Sequence, residues 1–93
     1  MHLKAIYEKK MQPRLDELKE EIDGLRQKAD EAETNLELEY YTLLDELQIK
    51  LEIASQKFEL LTQANEDDWE NFKYEFETIW DSLRELVKSV TSP

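Results

Sequence analysis

Residues 11–36 read MQPRLDELKEEIDGLRQKADEAETNL, and the fold turns on how their apolar positions are spaced. Met11, Leu15, Leu18, Ile22, Leu25, Ala29, Ala32 and Leu36 follow one another at intervals of 4, 3, 4, 3, 4, 3 and 4 residues. That is an a/d heptad seam, the pattern of a helix that packs along a facing helix. The positions between these residues are almost all charged or polar. The stripe is therefore narrow, and one partner helix is enough to cover it.

Past Leu36 the phase changes. Tyr40, Leu43, Leu47, Leu51, Ala54, Phe58 and Leu61 continue at 3, 4, 4, 3, 4 and 3, and the doubled four-residue step locally unwinds a left-handed supercoil. Leu44, Ile53 and Leu60 widen the apolar surface, so this stretch is expected to meet more than one neighbour. The one clear interruption is Thr62-Gln63-Ala64-Asn65-Glu66-Asp67. Asn65 tolerates the left-handed conformation that often ends a helix. Asp67 with Glu70 resembles a capping box for the helix that follows. That helix is expected over 67–90, with Phe72, Phe76, Ile79, Leu83, Leu86 and Val90 on its face and Trp69, Trp80 and Val87 broadening it. Toward the N-terminus, Pro13 suits a first helical turn better than an interior. A separate lead-in over 3–11 is therefore expected, carrying Leu3, Ile6 and Tyr7. Gly24 is tolerated in so strongly patterned a helix, at a cost of about 1 kcal/mol relative to alanine.

Two folds satisfy this pattern, both all-α and both a single domain over 1–93. In the first, residues 13–63 form one helix about 75 Å long. After a turn at 63–67, the shorter C-terminal helix folds back antiparallel, giving a helical hairpin of coiled-coil type. Its core would hold Tyr40, Leu47, Leu51, Ala54, Phe58, Leu61, Trp69, Phe72, Phe76, Ile79, Trp80 and Leu83. The seam Met11–Leu36 is then left for a second chain, and the expected assembly is a homodimer closing into a helical bundle. In the second, the chain turns near Asp30–Asn35, where Thr34 and Glu37 form a possible capping box, and makes a three-helix bundle. The lack of Gly and Pro between Leu25 and Ser55 favours the long helix.

Composition narrows the function classes. The chain has 93 residues, 23 Asp and Glu against 12 Lys and Arg, and a net charge of -11. Apolar residues still make up 40% of it, too many for a disordered acidic tail. One Gly and two Pro leave little turn chemistry for a many-stranded β fold. The absence of Cys removes disulfide scaffolds and thiolate metal sites. So strong an acidic surplus argues against nucleic acid, whose phosphates need clustered cations. The start, MHLKAIYEKK, lacks a signal-like apolar run, and no stretch approaches a membrane span, so the expected location is cytoplasmic. His2 is the only histidine and has no thiol or second imidazole to join it in binding a metal. The carboxylate pairs Glu17/Glu21, Glu33/Glu37 and Glu77/Asp81 read as solvated helix faces. No catalytic or cofactor motif is present, and none is expected to act.

Three stretches together resemble the small bacterial coiled-coil proteins described as stress-response proteins. They are Lys10-Met11 through Leu15-Asp16-Glu17-Leu18, then Ile22-Asp23-Gly24-Leu25-Arg26-Gln27-Lys28-Ala29, and finally Asp68-Trp69-Glu70-Asn71-Phe72-Lys73 with Ile79-Trp80-Asp81-Ser82-Leu83. The sequence departs from that pattern at Pro13 and at Phe72, Tyr74 and Phe76. The resemblance implies a cytoplasmic, non-enzymatic protein and carries no catalytic residues. The functional expectation is thus a self-associating coiled-coil protein that acts by binding. Two alternatives accompany it. One is a peripheral lipid-surface protein, against which the acidic face of the C-terminal helix argues. The other is an adaptor whose N-terminal seam binds a different chain.

Overall fold

The computed structural model describes residues 3–31 and 38–91. They form three helices, α1 (Leu3–Glu31), α2 (Leu38–Gln63) and α3 (Trp69–Thr91), with no strand among the described residues. The helix expected over 13–63 is therefore two helices. The molecule is 53 Å in its longest dimension, whereas an unbroken 13–63 helix alone needs about 75 Å. Contacts between α1 and α2 set their relative direction. Lys4 at the start of α1 reaches Thr62 and Ala64 at the end of α2. The Tyr41 hydroxyl near the start of α2 donates to the Ala29 carbonyl near the end of α1. The two helices are antiparallel, α3 returns alongside α1, and the three-helix arrangement is the one observed. Ala32, Leu36, the Thr34/Glu37 box, the Glu33/Glu37 pair and His2 lie outside the described residues.

α1 runs through Pro13 without a break, which corrects the expected lead-in. Proline removes one helical hydrogen bond and strains the preceding turn, at about 3 kcal/mol in a helix interior. Here Lys9, Gln12 and Pro13 are all exposed, so water can solvate the carbonyl left without a partner. Tyr7 packs against the core and Met11 is buried within it, so apolar anchors hold the helix in place ahead of the proline. Tertiary packing outweighs the local cost.

The connection between α2 and α3 occupies 64–68. Among the described residues no non-glycine has a positive φ, so Asn65 is not in the expected left-handed conformation. It caps α3 instead. Its side-chain Oδ1 accepts from the amides of Asp67 and Asp68 at 3.1 and 2.9 Å. Its carbonyl accepts from Asp68 and Trp69 at 3.2 and 3.1 Å. These bonds satisfy amides that the first turn of a helix would leave unpaired. Asn65, not Asp67, is the capping residue, and α3 starts at Trp69.

One continuous core joins all three helices. It takes Met11, Leu15, Leu18, Ile22 and Ala29 from α1, and Leu44, Leu47, Leu51, Ala54 and Phe58 from α2. Phe76, Trp80, Leu83 and Val87 come from α3. The backbones of α2 and α3 approach each other most closely. Large side chains bridge from α3 to α1: Tyr7 lies 5.9 Å from Trp69 and 6.5 Å from Phe76, edge-on to the latter. Phe76 also meets Phe58 at 5.2 Å and Trp80 at 5.7 Å. Offset and edge-to-face aromatic pairs of this kind add to the burial of their area.

Candidate interaction surface

The heptad seam does not face outward. Met11, Leu15, Leu18, Ile22 and Ala29 are buried within one chain, and Leu25 packs half-buried against them. The helices that cover them, α2 and α3, belong to the same molecule. The reading of the described seam as a subunit interface is thereby corrected. A heptad stripe requires a facing helix, and the reversal of the chain between Glu31 and Leu38 supplies one.

Of the residues expected in the hairpin core, Leu47, Leu51, Ala54, Phe58, Leu61, Trp69, Phe76, Trp80 and Leu83 are buried. Tyr40 and Ile79 are half-buried against the core. Phe72 is half-buried and lies outside the core cluster. The inward face of α3 runs Trp69, Phe76, Trp80, Leu83 and Val87. It is rotated by about 50° from the expected Phe72–Phe76–Ile79 register, toward the Trp69, Trp80 and Val87 side, because α3 packs on α1 as well as on α2.

Two polar clusters bind the bundle together. At the end of the molecule near the α2–α3 connection, the Lys4 ammonium donates to the carbonyls of Thr62 and Ala64 at 2.8 and 2.6 Å. It thus places a cation at the negative end of the α2 dipole. One turn on, the Tyr7 hydroxyl donates to Glu77 at 3.0 Å. Burial, reinforced by the hydrogen bond and charge of Glu77 and by the charge of Asp81, pushes the Tyr7 phenol well above its ordinary range. The Lys73 ammonium lies 5.2 Å from the Tyr7 ring centre and 5.9 Å from that of Trp69. Glu77 is therefore a structural acceptor rather than part of a solvated carboxylate pair. At the opposite end Arg26 pairs with Asp45, and that hydrogen bond raises the affinity of the guanidinium for its proton.

A cleft between α1 and α3 is lined by Arg14, Glu17, Leu18, Glu21, Trp80 and Arg84. Its two cations face two carboxylates, so it has no net charge with which to select a ligand. Among the described residues no cluster of three or more His, Asp or Glu side chains is placed to hold a metal ion. No described helix is long and apolar enough to cross a membrane.

Leu3, Ile6, Leu38 and Tyr74 are also exposed, and the most extended row of exposed apolar side chains among the described residues is on α2. Its inward side carries Leu44, Leu47, Leu51, Ala54, Phe58 and Leu61. On the opposite side Ile49 is 58% exposed, Ile53 38% and Leu60 44%. At 100° per residue these three fall within a sector of about 40°, facing away from the core. α2 does meet two neighbours, as its width suggested, and Leu44 serves that purpose. Ile53 and Leu60 serve neither neighbour. Ile49 had no place in the heptad reading. The signal that marks it is the i, i+4, i+11 row of Ile49, Ile53 and Leu60, about 140° around the same helix from the seam.

Compared with known proteins, the chain matches no family model, no curated protein and no solved structure.

Proposed function

We propose that this protein is a non-catalytic helical bundle that acts by binding another macromolecule through the outward face of α2. One observation carries the reading: α2 is apolar on two opposite sides, and only one of them is used within the fold. Isolated exposed apolar residues are ordinary on a protein surface, but a row of them along one helix is the form that interaction sites take. The resemblance to small stress-response coiled-coil proteins supports the same non-enzymatic role. Self-association, first expected at the seam, has no described apolar surface left there.

The test uses Nile red, an uncharged dye that brightens on apolar surface. The folded wild type should enhance its emission. The double variant Ile49→Lys/Ile53→Lys should lose most of that enhancement, while its melting temperature stays within a few degrees of the wild type; Leu3, Ile6, Leu38 and Tyr74 stay exposed and set the residual signal. Equal enhancement by both proteins would show that this face is not the accessible apolar surface, and the reading would fall.

A further inference from the structure

Resting on that reading of α2, we propose that the partner docked on its outward face is a basic amphipathic helix. The apolar row is bordered by carboxylates, by the uncharged Gln56 and, on its α3 side, by Lys57, which is paired with Glu75. Asp45, Glu46, Glu52 and Glu59 are all exposed and lie on the outward half of the helix, flanking Ile49, Ile53 and Leu60. Asp45 is paired with Arg26. Glu46, Glu52 and Glu59 have no ion-pair partner among the described residues. The two lysines of α2 are turned toward α3: Lys50 donates to the Ser82 hydroxyl at 2.9 Å, and Lys57 meets Glu75 at 3.5 Å. The face therefore combines an apolar strip with uncompensated negative charge.

That combination selects among occupants. A second copy of this chain would bring its own Glu46, Glu52 and Glu59 against the same residues, with a net charge of -11 on each molecule. Anionic lipid and nucleic acid are repelled for the same reason. A cationic segment with an apolar stripe satisfies both parts of the surface. From Ile49 to Leu60 the row spans about 17 Å, close to three helical turns. A helix presenting apolar side chains at i, i+4, i+7 and i+11 matches that length and lies along the row, helix against helix. Charge complementarity also speeds encounter and makes the association sensitive to salt.

The experiment uses three synthetic amphipathic peptides of about 20 residues, long enough for four helical anchors. All carry leucine at the anchor positions, and the polar face is lysine, glutamine or glutamate. A fourth peptide scrambles the leucine/lysine sequence so that charge is kept and the stripe is lost. Binding is read by fluorescence anisotropy on the full chain. The leucine/lysine peptide should bind at least about tenfold more tightly than the leucine/glutamine one, and the leucine/glutamate peptide should not bind detectably. Glu46→Gln/Glu52→Gln/Glu59→Gln should erase that preference. Glu20→Gln/Glu70→Gln/Glu85→Gln removes the same charge elsewhere and should retain it.

Equal binding of the lysine, glutamine and glutamate peptides would overturn the charge selection while leaving α2 as a docking face. Equal binding of the scrambled peptide, or equal losses in the two triple variants, would reduce the effect to bulk attraction and overturn the proposal. Failure of every peptide to bind would overturn it together with the reading of α2. A wild-type dimer that Ile49→Lys/Ile53→Lys dissolves, or cosedimentation of the wild type with phosphatidylcholine vesicles, would assign the face to another occupant.

Discussion

Replacing Ile22 by alanine tests whether the seam of α1 is closed within one chain. Ile22 is 2% exposed and shares a core cluster with Leu44 and Leu47 of α2 and with Leu83 and Val87 of α3. The substitution removes three buried carbons, worth about 2.4 kcal/mol at about 0.8 kcal/mol each. A cavity that relaxes only in part raises the loss to about 3–4 kcal/mol. With a urea dependence of about 1.5–2 kcal/mol/M for a chain of this size, the unfolding midpoint should fall by about 2 M. Because α1 packs on α2 and α3 of the same molecule, the loss is global. Far-UV circular dichroism, which sees all three helices, and the fluorescence of Trp69 and Trp80, which sees only α3, should shift together. The midpoints of wild type and variant should also be the same between about 2 and about 200 μM protein. A wild-type midpoint that rises with concentration would refute the single-chain closure. So would a variant whose tryptophan transition stays put while helical signal is lost.

Lys4→Met removes the ammonium that caps the α2 carbonyls but keeps an apolar stem, and should cost about 1–2 kcal/mol in chemical denaturation; an unchanged midpoint would mean that the contact adds nothing. Tyr7 holds its proton in the folded state to a higher pH than in the unfolded chain, so its contribution is complete below about pH 10 and is lost as pH rises beyond that. Denaturation at pH 9 and at pH 11 should therefore show a steeper loss for the wild type than for Tyr7→Phe, and parallel losses would contradict the assignment. A Cβ added at Gly24 would meet nothing within 4 Å, and no described glycine has a positive φ. Gly24→Ala should accordingly stabilise the protein by about 0.5–1 kcal/mol, seen as a higher melting temperature.

Much of this architecture can be read from residue spacing. The intervals of 4 and 3 through Met11, Leu15, Leu18 and Ile22 specify a helix and its inward face, because only a 3.6-residue period brings those side chains to one side. The same reasoning locates Leu47, Leu51, Ala54 and Phe58 on α2, and the polar break near Asn65 announces the return to α3. What a heptad cannot encode is the identity of the helix that covers it. A facing helix from the same chain and one from a second chain present the same side chains to the seam. The choice rests on the reversal between Glu31 and Leu38, which no Gly or Pro marks. Pro13 is a second case: its local cost is legible, but the packing of Tyr7 and Met11 on the core that overcomes it is not. Asn65 is a third, since its side chain could end one helix or begin the next, and the approach of α3 to α1 decides for the cap. The outward row on α2 belongs to both levels. Ile49, Ile53 and Leu60 are visible as apolar residues in the sequence. Only the tertiary structure, by burying the opposite side of α2 between α1 and α3, shows that this row is left facing water.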